Sequence, residues 1–220
     1  MTDVSNSYNE QAAMYDSVIE KLVPDYEVFN TLISEVIGCP ETILDVGCGT
    51  GNTLLRLLER HPSARLTGLD TSSAMIEAAR IKLEGRVDLH NISVEEFQTE
   101  HSFDVITSVM VMHNLKSLDA RRLAYGLFHN ALANGGVYAT VDIFKGECER
   151  SEKLFSQMWR EFLLEDFSEE EVDNKWLALH KAKDMPLRLS DQIALLKEVG
   201  FSNVDVVHKR LGFGLILAHR

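Results

Sequence analysis

With 220 residues, a hydrophobic share of 45% and a charged share of 25%, the chain has an ordinary globular composition and can bury a core without staples. Its net charge of −12 works against broad attachment to nucleic acid or anionic lipid, which demand clustered Lys and Arg. Cys39, Cys48 and Cys148 lack the paired spacing of a zinc site, and no His cluster offers one, so neither disulfides nor a metal are predicted.

The segment MTDVSNSYNEQAAMYDSVIEK has no basic start followed by an apolar core, and no stretch approaches the ~20 apolar residues that span a bilayer. A cytoplasmic protein without membrane contact is the expectation. Helices are predicted within Asn9–Val36. From residue 42, short β-branched runs alternate with helical stretches, the pattern of a parallel sheet covered by helices. The predicted strands are Thr42–Val46, Arg65–Leu69, Val87–His90, Phe103–Ser108 and Gly136–Asp142; the helices between them are Thr53–Glu59, Ser73–Leu83 and Ala120–Leu132. A polar and amphipathic stretch, Glu147–Lys183, then precedes a helix at Asp191–Glu198. Two closely spaced strands, Val204–His208 and Gly212–His219, should pair antiparallel. The acidic run Glu165–Asp173 reads as a solvated helix start.

The densest signal is Ile43-Leu44-Asp45-Val46-Gly47-Cys48-Gly49-Thr50-Gly51-Asn52, a buried strand running into a glycine loop and then a helix. Alternate glycines let the backbone turn sharply and let a ligand approach where a Cβ would collide. A plain strand-to-helix turn would leave Asp45 as an unexplained buried charge. The pattern is GxGxG behind an acid, not the GxGxxG that seats a dinucleotide pyrophosphate. It suits a cationic ligand such as S-adenosylmethionine, whose α-ammonium Asp45 could hold directly or through water. The next strand ends in Asp70, 19 residues after Gly51. An acid at that tip can accept hydrogen bonds from both ribose hydroxyls, while Thr71 and Ser72 offer the helix caps that Asp70 might otherwise supply.

These segments resemble the class I S-adenosylmethionine-dependent methyltransferases from about Tyr15 to the C-terminus. ILDVGCGTGN resembles their first motif, LTGLDTSSAMIEAAR the second, FDVITSVMVMHNL the fourth, and Asn134-Gly135-Gly136 the turn into the fifth strand. The resemblance implies one domain with an α/β, Rossmann-like fold: a seven-stranded, mostly parallel sheet, helices on both faces, and an antiparallel C-terminal hairpin strand. Residues 1–38 would form a helical cap, 39–143 the cofactor-binding core, 144–186 a helical insertion acting with the cap as a lid, and 187–220 the last helix and strands. It implies that Gly47, Gly49 and Gly51, with Cys48 and Thr50 between them, line the methionine and ribose portions, that Asp70 binds the ribose, and that Thr71 and Met75 flank the adenine. The third motif departs from the family: Ile92-Ser93 stands where many relatives carry an aspartate for the adenine amino group, and a serine hydroxyl can still accept that hydrogen. Ser108 and Val109 should pass near the methionine, and Tyr15 either covers the cofactor or packs in the core.

The Tyr15-Asp16 pair, the Gly200-Phe201 turn and the apolar ending at Arg210–His219 resemble small stand-alone members, including the tRNA-wobble-uridine enzymes that use carboxy-S-adenosylmethionine. Where those have an arginine for the extra carboxylate, Trp176 stands here, which implies the ordinary cofactor. Methyl transfer needs positioning more than acid–base chemistry. His113, just after the fourth strand, is the candidate general base, with a structural histidine as its alternative. A small-molecule acceptor should be gripped by the N-terminal helices and by the insertion. There Phe155, Met158, Trp159 and Phe162 recur at helical steps, which also fits core packing or a homodimer face. An RNA methyltransferase, a non-catalytic cofactor-binding regulator and a nicotinamide oxidoreductase are the rival readings.

Overall fold

The computed structural model describes residues 12, 14–97, 99 and 101–220. Its centre is a seven-stranded sheet of β1 (Thr42–Val46), β2 (Arg65–Leu69), β3 (Asp88–His90), β4 (Phe103–Val109), β5 (Leu132–Ile143), β6 (Val204–Arg210) and β7 (Phe213–His219), in the order 3-2-1-4-5-7-6. The first five run parallel; β7 pairs antiparallel with both β5 and β6. The central strands are near-continuous apolar runs because helices cover both of their faces.

One face carries Ile43, Val105, Val141 and Leu215 against helices α1 (Tyr26–Val36), α2 (Asn52–Arg60) and α3 (Ser73–Leu83). The other carries Leu44, Ile106, Tyr138 and Ile216 against α4 (Leu118–Ala131) and the last helix, Leu189–Glu198. Alternation along each strand assigns these faces. On the second face Phe128 packs against Tyr138 with ring centroids 5.1 Å apart, and Tyr138 lies 5.9 Å from Phe201 of the Gly-Phe turn.

Residues 14–22 are helical and precede α1. The insertion is broken rather than one long helix: α5 (Glu149–Leu163), a turn at Glu169–Glu171, a π-helical turn at Val172–Trp176, and α6 (Leu177–Lys183), followed by α7 (Leu189–Glu198). The acidic run does open a helical turn, because the Ser168 side chain accepts from Glu171 N and the Glu171 carboxylate accepts from Ser168 N. Only Leu163 is buried on α5; Phe155, Trp159 and Phe162 are half-buried, with Trp159 against Phe213 of β7.

Several element ends differ from the sequence expectation. Leu132 leaves the preceding helix and starts β5 by pairing with Phe103, and the register then shifts as Asn134-Gly135 loops out with Gly135 at φ 78°. The edge strand β6 is held by Asp25, which takes His208 Nε2 at 2.8 Å and Arg210 Nη1 at 2.6 Å. Among the described residues, no helix is long and apolar enough to cross a membrane. The strand order reverses between β1 and β4, so the loops after these two strands diverge and leave a crevice at the carboxyl edge.

Phe128 is 1% exposed at the centre of the aromatic cluster, whereas Leu118 on the same helix is 53% exposed. Phe128→Ala should therefore cost about 3–5 kcal/mol, and Leu118→Ala within about 0.5 kcal/mol of nothing. Urea unfolding of both variants checks this contrast.

Candidate functional site

β1 delivers the glycine loop into the crevice. Gly47, Gly49 and Gly51 all have left-handed backbone, with φ of 70°, 55° and 84°, a conformation that penalises any residue with a Cβ. At Gly47 a Cβ would also stand 2.4 Å from Val111 Cγ2; at Gly49 the nearest neighbour would be Tyr15 at 4.0 Å, so that glycine faces open space. The loop is tied to β2: Gly47 N and Cys48 N both donate to Leu69 O, and Gly49 N donates to Asp70 Oδ2 at 2.9 Å.

The loop borders a cleft. Tyr15, Asp45, Gly47, Cys48, Gly49, Thr50 and Val109, all singled out in the sequence, line it, joined by Tyr26, Asn52 and Thr53. Asp45 is 1% exposed and accepts from Thr107 Oγ1 at 2.7 Å. Burial pushes its carboxyl up to about 7; the Thr107 hydroxyl opposes this and the Asp70 charge adds to it.

Asp70 stands beside the cleft. Its carboxylate accepts from Ser72 N at 2.8 Å and from Gly49 N, and burial raises its pKa against the lowering effect of Ser72, Gly49 and Thr71 amides. Ser72, not Asp70, caps α3, with its side chain accepting from Met75 N. Met75 and Ser93 are buried, and Ile92 packs on the second core face. Ser108 belongs to that second face too: its hydroxyl lies 2.6 Å from the Tyr138 hydroxyl and 3.0 Å from Thr140 Oγ1. Gly51, Asp70, Thr71, Met75, Ile92, Ser93 and Ser108 thus lie outside the lining of the glycine-loop cleft.

The N-terminal helix is fastened over the loop by a residue the sequence offered only as Tyr15's neighbour. Asp16 accepts from Thr50 Oγ1 at 2.5 Å, Asn52 Nδ2 at 3.0 Å and Lys82 Nζ at 2.7 Å. Burial alone would raise the Asp16 carboxyl, but Lys82, Thr50 and Asn52 together hold it below its usual range. Tyr26, Asn52, Thr53 and Lys82 carry no sequence signal of their own, because their partners are 23–36 residues away or more.

His113 lies deeper, 5% exposed and outside the lining of that cleft. Its Nδ1 is 2.5 Å from Asp142 Oδ1, its backbone N donates to Asp142 Oδ2, and its Nε2 is 3.9 Å from Asp184 Oδ1. Burial works to lower its pKa, but Asp142 and Asp184 outweigh it and Arg121, and hold the imidazole above its ordinary value. Asp184 continues outward to His180 Nδ1 at 2.7 Å. His180 lines a second cleft with Phe155 and Trp159 of α5, the only insertion aromatics singled out in the sequence that do so among the described residues. Trp176 stacks instead on Phe167, 5.3 Å away, under Lys175. Among the described residues no cluster could hold a metal ion.

The Asp45 shift has a testable sign. A carboxyl whose folded pKa is raised holds its proton longer in the native state, so stability falls as pH rises from the unfolded value near 4 toward 7. At roughly 1.4 kcal/mol per unit, Asp45→Asn should gain about 2.5–3 kcal/mol on the wild type between pH 5 and pH 8 in the ligand-free protein. Urea titrations at the two pH values measure it; a pH-independent difference would contradict it.

Residues 43–136 match the family model described as a methyltransferase domain. The chain is 26% identical over 230 residues to the carboxy-S-adenosyl-L-methionine synthase of Helicobacter hepaticus, covering 95% of this chain and 92% of that protein. It is 27% identical over 219 residues to the synthase of that name from Methylococcus capsulatus, covering 94% and 90%. Among solved structures, the N-methyltransferase NodS of Bradyrhizobium japonicum in complex with S-adenosyl-L-homocysteine superposes with a TM-score of 0.70 at 16% identity, over 98% of this chain and 97% of that one. The DhpI complex with the same product gives 0.69 at 16% identity, over 97% and 93%. Residues 43–136 are thus similar to a methyltransferase domain, and the chain shares the Rossmann-like fold of NodS and DhpI.

Proposed function

We propose that the protein transfers the methyl group of S-adenosylmethionine to a small-molecule acceptor by in-line displacement, with the cofactor in the glycine-loop cleft. The observation that carries this reading is Asp45: a buried carboxylate lining an open cleft, with a single hydroxyl as its hydrogen-bond donor among the described residues. A buried carboxylate is costly until a cation compensates it, and the α-ammonium of the cofactor is such a cation. The left-handed glycines leave space for the methionine and ribose portions, with Cys48, Thr50 and Val109 as walls and Tyr15 as a cover. Asp70, already aligned by two backbone amides, takes the ribose hydroxyls at the end of β2. Thr71, Met75, Ile92 and Ser93 are the residues assigned to the adenine end, and Ser108 to the strand that passes the methionine. Holding donor and acceptor aligned and dry supplies most of what the reaction needs.

The relatives' name supports a second reading, in which the protein carboxylates its cofactor. A carboxylated sulfonium brings an extra negative charge, yet the lining of the glycine-loop cleft contains Asp45 and neither Lys nor Arg. That electrostatic mismatch favours the ordinary cofactor. A tRNA acceptor is disfavoured by the charge of −12. Mass spectrometry of small molecules carried through purification separates the first two readings: ordinary S-adenosyl species support methyl transfer, and a carboxylated species would replace it.

Calorimetric titration with S-adenosylmethionine and S-adenosylhomocysteine tests the cofactor site. Both should bind saturably, and Asp70→Ala should weaken each by roughly 10–150-fold, the worth of a charge-assisted hydrogen bond at about 1.5–3 kcal/mol. Binding of neither ligand to the wild type would sink the proposal.

A further inference from the structure

We infer that the second cleft is the methyl-acceptor site, that it takes a planar aromatic molecule bearing an ionisable hydroxyl, and that His180 is the base that accepts the hydroxyl proton. This deepens the methyltransferase reading and rests on it.

Position is the first argument. Val109 lines the glycine-loop cleft and Ile143 lines the second cleft. Val109 pairs in register with Val141 on the adjacent strand, and Ile143 is two residues further along. With strands ~4.8 Å apart and a rise of ~3.3 Å per residue, the two positions lie about 8 Å apart, on the same face of the sheet. The clefts are therefore neighbours along one carboxyl edge, within the length of one cofactor molecule. Tyr15, Val109, Met110 and Trp159 pack on the same core cluster, and Trp159 Nε1 is fixed by Leu22 O at 2.9 Å, on the helix that carries Tyr15.

Chemistry is the second. Phe144, Phe155, Trp159 and Phe213 line the cleft, with Trp159 edge-on to Phe213 at 5.6 Å and to His180 at 5.1 Å. Aromatic walls with few convergent polar groups are the usual form of a small-molecule site. The polar groups are His180, Lys145, Ser156 and Glu152, the last also accepting from Gly146 N. Asp184 engages His180 Nδ1, which fixes that nitrogen as the N–H and leaves Nε2 as the basic one. Behind Asp184 stand His113 and Asp142, both buried, so the carboxylate that orients His180 is itself held from the sheet. An orienting acid, a histidine and an aromatic wall serve an acceptor that has a proton to lose. Nε2 takes the hydroxyl proton as the oxygen attacks the methyl carbon. The C–O bond forms, the C–S bond breaks with its electron pair left on sulfur, and the products are the methyl ether, S-adenosylhomocysteine and an imidazolium stabilised by Asp184 until water takes its proton.

The test uses the full chain and 2-naphthol as probe. Trp159 and Trp176 are the two tryptophans of the sequence, so in a Trp176→Phe background the fluorescence reports on Trp159 alone. Calorimetry with S-adenosylhomocysteine comes first on every variant: its failure in the parent removes the cofactor reading and this proposal with it, and its success in a variant shows that the fold is intact. With that ligand bound, 2-naphthol should quench Trp159 saturably, and Ser156→Phe, which fills the cleft, should weaken the quench at least ~10-fold while cofactor binding is unchanged. Normal cofactor binding without any quench would overturn the acceptor site alone. With S-adenosylmethionine the parent should form 2-methoxynaphthalene; its absence would overturn the substrate class. His180→Asn should slow the reaction by ~10² or more at pH 7, and the loss should shrink as pH rises and the naphthol ionises unaided. Asp184, Lys145, Glu152 and, behind Asp184, His113 are the charged or titratable groups around His180, and their effects are common to parent and variant. An equal loss at every pH would show that His180 is structural and would overturn its role as base.

Discussion

A carboxylate inside a parallel sheet is stable only if something near it is positive, and Asp45 sits in that position with one threonine hydroxyl for support. The backbone around it is committed to keeping it there. Gly47 and Cys48 amides bond to the end of β2, Asp70 reaches back to Gly49, and the strand-order reversal opens the space in front. The resulting site is negative and partly dehydrated before any ligand arrives, and a sulfonium amino acid is a good match for it. In the proposed binding mode its ammonium would satisfy Asp45, its ribose would meet Asp70, and its methyl group would face the neighbouring cleft on the same face.

Two acidic latches divide the work around this centre. Asp16 ties the N-terminal helix to Thr50, Asn52 and Lys82, so Tyr15 is held at the cleft from outside the sheet. Asp142 and Asp184 bracket His113 and tie the end of the insertion to the tips of β4 and β5, with Arg121 and Lys116 gripping the carbonyls of Met185 and Lys183. The cap and the insertion are each joined to the core by charged contacts near the crevice. These charged contacts add to the apolar packing of Ile19, Val23 and Trp159 on the core in setting the geometry of the proposed acceptor cleft.

The sheet was legible in the sequence because parallel strands buried on both faces are continuous apolar runs, and β1, β2 and α3 lie at the predicted residues. The glycine loop was legible for a different reason: left-handed backbone at three alternate positions leaves few residue choices. Neither signal reaches the insertion. There the helical steps of Phe155, Met158, Trp159 and Phe162 give a helix face but not what it covers, and a π-helical turn breaks what reads as one amphipathic stretch. Contacts of long sequence separation were invisible in the same way. Nothing in His180 or Asp184 announces a pair, since a histidine four residues before an aspartate is common, and its meaning comes from His113 and Asp142, which fold brings beside it. Lys82 is likewise an ordinary cation on α3 until the loop and the N-terminal helix meet it.

Proton release on cofactor binding tests the central role of Asp45 most directly. Titrations of S-adenosylmethionine at pH 7 in buffers of different ionisation enthalpy count protons. A carboxyl poised near 7 that becomes the partner of an ammonium should give up about half a proton per site in the wild type, and this release should be missing in Asp45→Asn. Equal proton counts in the two proteins would show that the cofactor's charge is met elsewhere and would contradict the account.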